Sequence, residues 1–338
     1  MWNANATARR GALVATVMLA LLTAGCVDAT NPPSSTARQP GGPGYPVRIT
    51  HALGTTVIQA PPKRIVALSD GDLDALLLLG LQPVAVGETT GPDGGVNAWT
   101  APLLTGDPVV LPAGDSGYNP DQVLGLNPDL VLAGAYGSID SLYHRMAGVV
   151  PTTAYEVAKG ADPWEVTVRQ VAKAVGLVDK GEAVIRDTRA KLAAAKDAHP
   201  ELAGTRFALG QMWTAASVGL LRSPADPSVR LLTDLGMTLT PAVASTTGAT
   251  TPRSYPLAKL GALTRTDVLV LYFPDPSLRA LLQGERAFAR LDAVERGGFL
   301  ALTREQYLAL RLVTPLSIGY TVERLVPDLA RAAAGSAR

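Results

Sequence analysis

The chain has 338 residues, of which 47% are hydrophobic and 17% are charged, and its formal net charge is +1. This length allows two domains. The balanced charge, without clusters of lysine and arginine, argues against nucleic acid as a partner. The three histidines, His51, His144 and His199, are scattered along the chain. The sequence therefore predicts neither a histidine-based metal site nor an intrinsic cofactor.

The N-terminal segment has the pattern of an export signal. Arg9 and Arg10 precede an apolar run over residues 11–22, which is too short to span a bilayer as a helix. Leu22–Cys26 reads LTAGC and resembles the cleavage motif of bacterial lipoproteins. We therefore predict a signal peptide over residues 1–26 that ends at a lipidated Cys26. A plain secretory signal or an uncleaved anchor is the alternative, and the arginine pair leaves the Sec and Tat routes open.

Residues 27–46 are rich in proline, glycine, serine and threonine. Such a composition predicts a flexible tether instead of a packed element. With a lipidated N-terminus, the protein is expected outside the cytoplasm, anchored to the outer face of the cell membrane.

Residues 47–162 read as a first lobe in which strands and helices alternate. Val47–Ile58 alternates in polarity and predicts a hairpin. The apolar run Arg64–Leu68 predicts a buried strand, and the polar turn after it leads into a helix that ends at Gly80. Thr152–Tyr155 is expected to be the last strand of this lobe. The alternation of buried strands and helices indicates a mostly parallel sheet.

The segment 163–200 predicts a long amphipathic helix that connects this lobe to a second one. Its apolar residues recur at the helical period, and Pro163 and Pro200 suit its two ends. Gly176 and Gly181 weaken its centre by about 1 kcal/mol each relative to alanine, which predicts a kink or short break there. The long strut then runs from about residue 179 to residue 199.

Residues 201–338 read as the second lobe. Its strands are predicted at Arg206–Trp213, Val268–Phe273 and Phe299–Leu302, and a closing helix is predicted at Pro315–Ala334. The fold class expected from the whole chain is therefore α/β.

Ligands of parallel sheets bind at the carboxyl ends of the strands, and the candidate binding residues are taken from those ends. Arg222 and Arg286 are expected to contact charged oxygens, and the aromatic residues to contact a bulky ligand. No nucleophile, phosphate-loop or zinc-protease motif is present, so the chain is not expected to be an enzyme. The full candidate set is Ser69, Asp70, Glu88, Tyr136, Tyr155, Trp213, Arg222, Tyr272, Phe273, Arg286 and Tyr307.

Four blocks of the sequence resemble one known family, the substrate-binding lipoproteins of iron-siderophore and cobalamin ABC importers. They are the segment Pro62–Ser69 with its continuation to Gly87, the block Leu126–Val131, the long helical segment, and Lys259–Leu271. The resemblance covers most of the chain from residue 64 to residue 325. It implies two Rossmann-like lobes with mostly parallel sheets, joined by a backbone helix that restricts lobe motion.

The resemblance also implies a function. A monomeric receptor holds a ferric siderophore between its lobes, so that iron arrives as part of the ligand, and delivers it to an ABC permease. Asp121 matches the acid of the first lobe that docks to the permease, whereas no acid stands near Pro256–Ala258, where the second lobe of the family has one. A cobalamin or haem receptor and a sensor or scaffold lipoprotein without transport are the alternatives.

Overall fold

The computed structural model describes residues 44–88, 91, 95–115, 117–157, 159, 162–245, 252–263 and 265–336. The predicted signal peptide, Cys26 and the predicted tether up to residue 43 lie outside this range. Among the described residues, none of the helices has both the length and the apolar character that crossing a bilayer requires.

The first lobe opens with the predicted hairpin. Strands β1 (Val47–His51) and β2 (Gly54–Ile58) pair antiparallel, with Val47 opposite Ile58. Side chains of β1 alternate between buried and exposed, as the period of a half-buried strand requires. The hairpin predicted from the sequence is confirmed.

A parallel four-stranded sheet in the order β5–β4–β3–β6 forms the centre of the first lobe. β3, β4 and β6 are buried at all three positions, which matches their apolar sequences. The strands are β3 (Ile65–Ala67), β4 (Ala85–Gly87), β5 (Val109–Leu111) and β6 (Leu130–Leu132), and the helices between and after them are α1 (Asp70–Leu78), α2 (Pro120–Gly125) and α3 (Ile139–Met146).

The strand predicted at Thr152–Tyr155 is wrong, since only an isolated bridge joins Thr152 to Val131. The hydroxyl of Thr153 accepts a hydrogen bond from the Ala133 backbone N–H at 3.0 Å. The Ala133 N–H, which would otherwise donate to a backbone carbonyl of the next strand, is bound by the Thr153 side chain instead. Regular strand pairing therefore ends at this position.

The segment 163–200 contains two helices, α4 (Trp164–Ala174) and α5 (Val178–Ala198). Gly176 lies between them with φ +71°, the left-handed conformation in which helices commonly end at glycine. The predicted interruption is present at this glycine.

The interruption reverses the chain. Arg169 pairs with Glu182 at 2.7 Å, and Glu165 pairs with Arg189 at 3.0 Å. Because an earlier position on α4 meets a later position on α5, the two helices run antiparallel. The connecting helix does not extend over the whole of 163–200, because α4 packs on α1 and β1 of the first lobe. The strut predicted from about residue 179 to residue 199 is confirmed as α5. The connection is α5 alone, about 30 Å long at 1.5 Å per residue.

The second lobe is built on a six-stranded sheet in the order β10–β8–β7–β11–β12, with β9 also paired to β7. β7 pairs parallel with β11 and β9 and antiparallel with β8, so the sheet is mixed but its centre is parallel. Its strands are β7 (Arg206–Thr214), β8 (Ser217–Leu220), β9 (Thr238–Leu239), β10 (Arg253–Pro256), β11 (Val268–Tyr272) and β12 (Phe299–Leu302).

Both faces of this sheet are covered. Phe207 and Leu209 of β7 belong to one hydrophobic cluster, whereas Ala208 and Met212 belong to another on the opposite face. The alternation follows the two-residue period of a strand. Trp164 packs against the core clusters of both lobes, which places the start of α4 at the junction between them.

The remaining helices surround this sheet. The predicted closing helix at Pro315–Ala334 is wrong as one element, because α11 ends at Arg324 and α12 begins at Val326. Pro327 explains the break, since it has no backbone N–H and its ring clashes with the preceding turn. The helices are α6 (Pro227–Asp234), α7 (Pro276–Gly284), α8 (Arg286–Ala289), α9 (Asp292–Glu295), α10 (Arg304–Arg311), α11 (Pro315–Arg324) and α12 (Val326–Ser336). The expected α/β architecture with two lobes is confirmed.

Candidate functional site

A cavity of about 380 Å³ lies between the two lobes. Strand ends and loops of the first lobe form one wall, α6 and the segment between α10 and α11 form the other, and the start of α4 closes one side. Its principal lining residues are Ser69, Asp70, Glu88, Tyr118, Tyr136, Asp162, Trp164, Thr167, Pro227, Arg230, Asp234, Arg311, Val313, Thr314 and Pro315.

Four of the residues predicted from the sequence line this cavity together. Ser69 and Asp70 follow β3, Glu88 follows β4, and Tyr136 lies in the loop after β6. These strands are parallel neighbours, so their carboxyl ends meet at one edge of the sheet. The backbone N–H of Ala113 donates to Glu88 Oε2 at 3.0 Å and holds that carboxylate near the wall.

Tyr118 belongs to the same wall and was missed by the strand-end reasoning, because it lies in the loop before α2. Its ring lies 4.9 Å from that of Tyr136, and its hydroxyl donates to the Glu88 carbonyl at 3.3 Å. Burial raises the pKa of Tyr118 above its ordinary value. Gly87 makes room for this ring, because a Cβ there would overlap the Tyr118 hydroxyl.

Two acids lie at the start of α1, of which Asp70 lines the cavity and Asp72 is fully buried. Burial raises the pKa of Asp70 to about 6, although Asn97 donates to its Oδ1 at 2.6 Å. Burial also raises the pKa of Asp72 to about 6. Asp72 accepts hydrogen bonds from the Ser69 hydroxyl at 2.6 Å and from the Ala135 N–H at 3.3 Å. It thereby ties the loop after β3 to the loop after β6.

The opposite wall carries two arginines that the sequence reasoning did not select. Arg311 donates to both oxygens of Asp226 at 3.1 Å and to the Ser228 hydroxyl at 2.8 Å, so its charge is compensated within the lobe. Within the described residues, the exposed side chain of Arg230 has no hydrogen bond or ion pair. Asp234, one turn further on α6, has a pKa raised by burial. Arg230 is thus the cation of this wall that is available to a ligand.

The predicted aromatic residues of the second lobe form a cluster of their own outside the cavity lining. Tyr272 and Tyr307 stack with ring centroids 4.3 Å apart, and Trp213 meets Tyr272 edge-on at 6.5 Å. The Tyr307 hydroxyl bonds to the Gln211 side chain. Trp213 remains 59% exposed. Trp213 and Tyr272 lie at the ends of β7 and β11, but the strand-end position predicted for Tyr307 is wrong, because this residue lies in α10. One turn further along α10, Arg311 lies at the cavity.

The other predicted residues also lie away from the cavity lining. Phe273 packs edge-on against Phe299 at 6.4 Å, and Arg286 is exposed at the start of α8. Arg222 lies two residues after the end of β8 and is partly buried. The Tyr155 hydroxyl donates to Asp140 at 3.4 Å. Phe273 and Tyr155 thus satisfy local packing and hydrogen bonding in the structure.

Asp121 lies in the first turn of α2 on the surface of the first lobe. Arg145 approaches it at 3.7 Å, with both side chains more than half exposed. Such an exposed pair contributes little to stability, so Asp121 remains accessible. In the part of the chain that the structure describes, histidine, cysteine and carboxylate side chains form no group of three suited to a metal ion.

Comparison with known proteins finds similarity over part of the chain. Residues 65–217 match the family model described as periplasmic binding protein. A probable siderophore-binding lipoprotein of Bacillus subtilis, YfiY, is 30% identical over 151 residues, which is 41% of each chain. A second lipoprotein of that organism, a putative ABC transporter substrate-binding protein named YhfQ, is 28% identical over 142 residues, 42% of this chain and 41% of that one. The chain thus matches less than half the length of these curated relatives.

Solved structures match over most of the described chain. A periplasmic solute binding protein from Mycobacterium smegmatis has a TM-score of 0.73 and 26% identity, covering 85% of this chain and 98% of that one. PiaA from Streptococcus pneumoniae in complex with ferrichrome has a TM-score of 0.72 and 23% identity, covering 86% of this chain and 99% of that one. The latter likeness concerns the fold.

Proposed function

We propose that this chain is a periplasmic binding protein that captures a ferric siderophore between its lobes and delivers it to an ABC permease. The observation that carries the proposal is the cavity of about 380 Å³, lined from both lobes by polar and aromatic side chains. Such concave sites with a few convergent polar groups are typical of small-molecule binding. The proposal is for a binding protein, which agrees with the description of the family model that matches residues 65–217.

The charges of the two walls favour a ligand of low net charge. Asp70 and Glu88 face the cavity from the first lobe, and Arg230 faces it from the second. A highly anionic complex would meet carboxylates on the wall of the first lobe. Like charges brought together at a binding interface cost on the order of several kcal/mol. Neutral hydroxamate complexes avoid this cost, so we propose a ferric hydroxamate as the ligand class.

Tryptophan fluorescence tests the proposal directly. Trp164 lines the cavity, whereas Trp213 lies outside its lining. Titration of the purified protein with ferrichrome is expected to quench emission, and the Trp164→Phe variant is expected to lose most of that change while Trp213→Phe retains it. Haem and cobalamin, titrated in parallel, test the two rival ligands. Absence of a saturable response to all three compounds would refute the receptor function.

Membrane attachment and permease docking belong to the same proposal. Lipidation at Cys26 would hold the receptor at the outer face of the cell membrane. The exposed Asp121 would contact a basic residue of the permease, as the resemblance to the importer family implies. Mass measurement of the mature N-terminus tests the first point, because an unmodified Cys26 contradicts it.

A further inference from the structure

A buried hydrogen bond joins the two lobes beside the cavity. Asp74 of α1 is fully buried, and its Oδ2 accepts from the hydroxyl of Thr314 at 2.5 Å. Thr314 is 3% exposed and precedes α11 in the second lobe. Both partners are therefore shielded from water, where an unpaired carboxyl oxygen costs on the order of 1–3 kcal/mol or more.

The Thr314 hydroxyl also organises the start of α11. It accepts from the Ser317 backbone N–H at 3.1 Å, while the Ser317 hydroxyl accepts from the Thr314 N–H at 2.9 Å. These reciprocal bonds form a capping box. Because the same hydroxyl donates to Asp74 and accepts from the helix, a shift of α11 away from α1 breaks the bond to Asp74.

A loop of the first lobe strengthens this contact. The Thr100 hydroxyl donates to the other carboxyl oxygen of Asp74 at 2.7 Å. The neighbouring Trp99 places its ring 5.4 Å from that of Tyr320 on α11. Asp74 thus holds the loop over residues 95–104 at the position where its tryptophan meets the second lobe.

Thr314 lines the cavity as well as the interface between the lobes, together with its neighbours Val313 and Pro315. We propose that Asp74 is a positioning residue that holds this edge of the cavity at a fixed distance from α1 and so sets the width of the cleft. The apparent affinity for a ligand is reduced by the fraction of molecules that lack the competent arrangement. The Asp74–Thr314 bond raises the competent fraction before the ligand arrives.

Hydrogen exchange of the full chain, measured by mass spectrometry without ligand, tests the bond across the lobes. The Thr314→Val substitution in the second lobe is expected to accelerate exchange of the loop over 95–104 in the first lobe about five- to tenfold, the factor for one hydrogen bond. Asp74→Ala is expected to accelerate exchange in the first turn of α11. Thr314→Ser keeps the hydroxyl and is expected to retain wild-type exchange in both segments.

The matched control is Thr303→Val, which removes the capping hydroxyl of α10. Thr303 accepts from the Gln306 N–H at 3.2 Å in a second capping box, and its loss is expected to affect α10 alone. If Thr314→Val accelerates exchange only in α11, the hydroxyl is merely a helix cap and the positioning role is overturned.

Stopped-flow binding of ferrichrome adds a functional readout. Thr314→Val is expected to lower the association rate about five- to tenfold, the factor expected for hydrogen exchange. The dissociation rate is expected to stay unchanged, because bound ligand itself bridges the lobes. Unchanged association despite altered exchange overturns the link to ligand binding. This readout rests on the proposed function: if wild-type protein does not bind ferrichrome, the proposal for that ligand fails, while the exchange experiment still decides whether the bond joins the lobes.

Discussion

Gly181 of α5, the helix that connects the lobes, lies directly against Ala172 of α4. A Cβ added there would lie 2.5 Å from the Cβ of Ala172. Carbon atoms in favourable contact lie about 3.5–4.0 Å apart, so Gly181→Ala forces the helices apart by about 1 Å. Both inter-helix ion pairs lie on the C-terminal side of this contact along α5, at Glu182 and Arg189, and would be stretched by the same movement.

Two opposing contributions, helix propensity and overpacking, decide whether Gly181→Ala raises or lowers the free energy of unfolding. Alanine is favoured over glycine in a helix interior by about 1 kcal/mol. Overpacking a closely packed contact costs about 1–3 kcal/mol. Gly181→Ala is therefore expected to lower the free energy of unfolding by about 1–2 kcal/mol.

Gly319 provides the matched control. It lies in the interior of α11 and is not among the glycines with positive φ. An added Cβ there would have no heavy atom within 4 Å. Gly319→Ala is therefore expected to raise the free energy of unfolding by up to about 1 kcal/mol.

Urea denaturation of the two variants, followed by circular dichroism, measures both changes. The same substitution in two helices is expected to give opposite signs. An equal stabilisation by both substitutions would show that α4 and α5 are not in close contact at Gly181, and the reversed path of the connecting segment would be refuted.

The remaining predictions concern pH dependence, ligand charge and docking. Burial raises the pKa of Asp74 to about 7, with hydrogen bonds from Thr100 and Thr314 opposing the shift. The folded state therefore keeps a proton that the unfolded chain releases at about pH 4, and the free energy of unfolding falls as pH rises. The contribution of Asp74 between pH 5 and pH 8 is about 2–3 kcal/mol. Asp74→Asn should reduce the fall in urea-derived stability over this range by that amount and leave the smaller falls due to Asp70 and Asp72, whose pKa burial also raises to about 6. An unchanged slope contradicts the raised pKa of Asp74. Arg230→Ala should weaken ferrichrome binding by about 1–3 kcal/mol in calorimetry if it makes a charge-assisted contact. Arg222→Ala, outside the cavity lining, is the comparison, and a larger loss there would move the ligand away from Arg230. Asp121→Ala should reduce ferrichrome uptake by cells while leaving the affinity of the purified receptor unchanged, and normal uptake would remove this acid from the permease contact.

Local sequence signals were sufficient for much of the first lobe. The alternation of Val47–Ile58 specifies a hairpin because side chains of a strand alternate between its faces. A polar turn between an apolar strand and a helix specifies the β3–α1 unit, and Ser69 does cap α1 by accepting from the Asp72 N–H. Since parallel strands share one carboxyl edge, the same reasoning brought Ser69, Asp70, Glu88 and Tyr136 to one wall.

Other features depended on contacts that no local signal contains. Gly176 predicted an interruption, but the reversal of α4 against α5 depends on the absent Cβ of Gly181 and on ion pairs between positions far apart in sequence. Trp213 and Tyr272 lie at the ends of their strands, whereas Tyr307, expected at a strand end, lies in α10. Tyr272 and Tyr307 stack on each other and do not line the cavity.

The sequence by itself thus determined most of the elements, the α/β class and the wall made by strand ends of the first lobe, because short-range periodicity, capping and turn chemistry act within a few residues. The tertiary structure decided which residues complete the cavity. Tyr118, Arg230 and Thr314 reach it from a loop, a helix face and a helix cap. The bond from Thr314 to Asp74 joins residues of different lobes, so it exists only once both lobes have packed along α5.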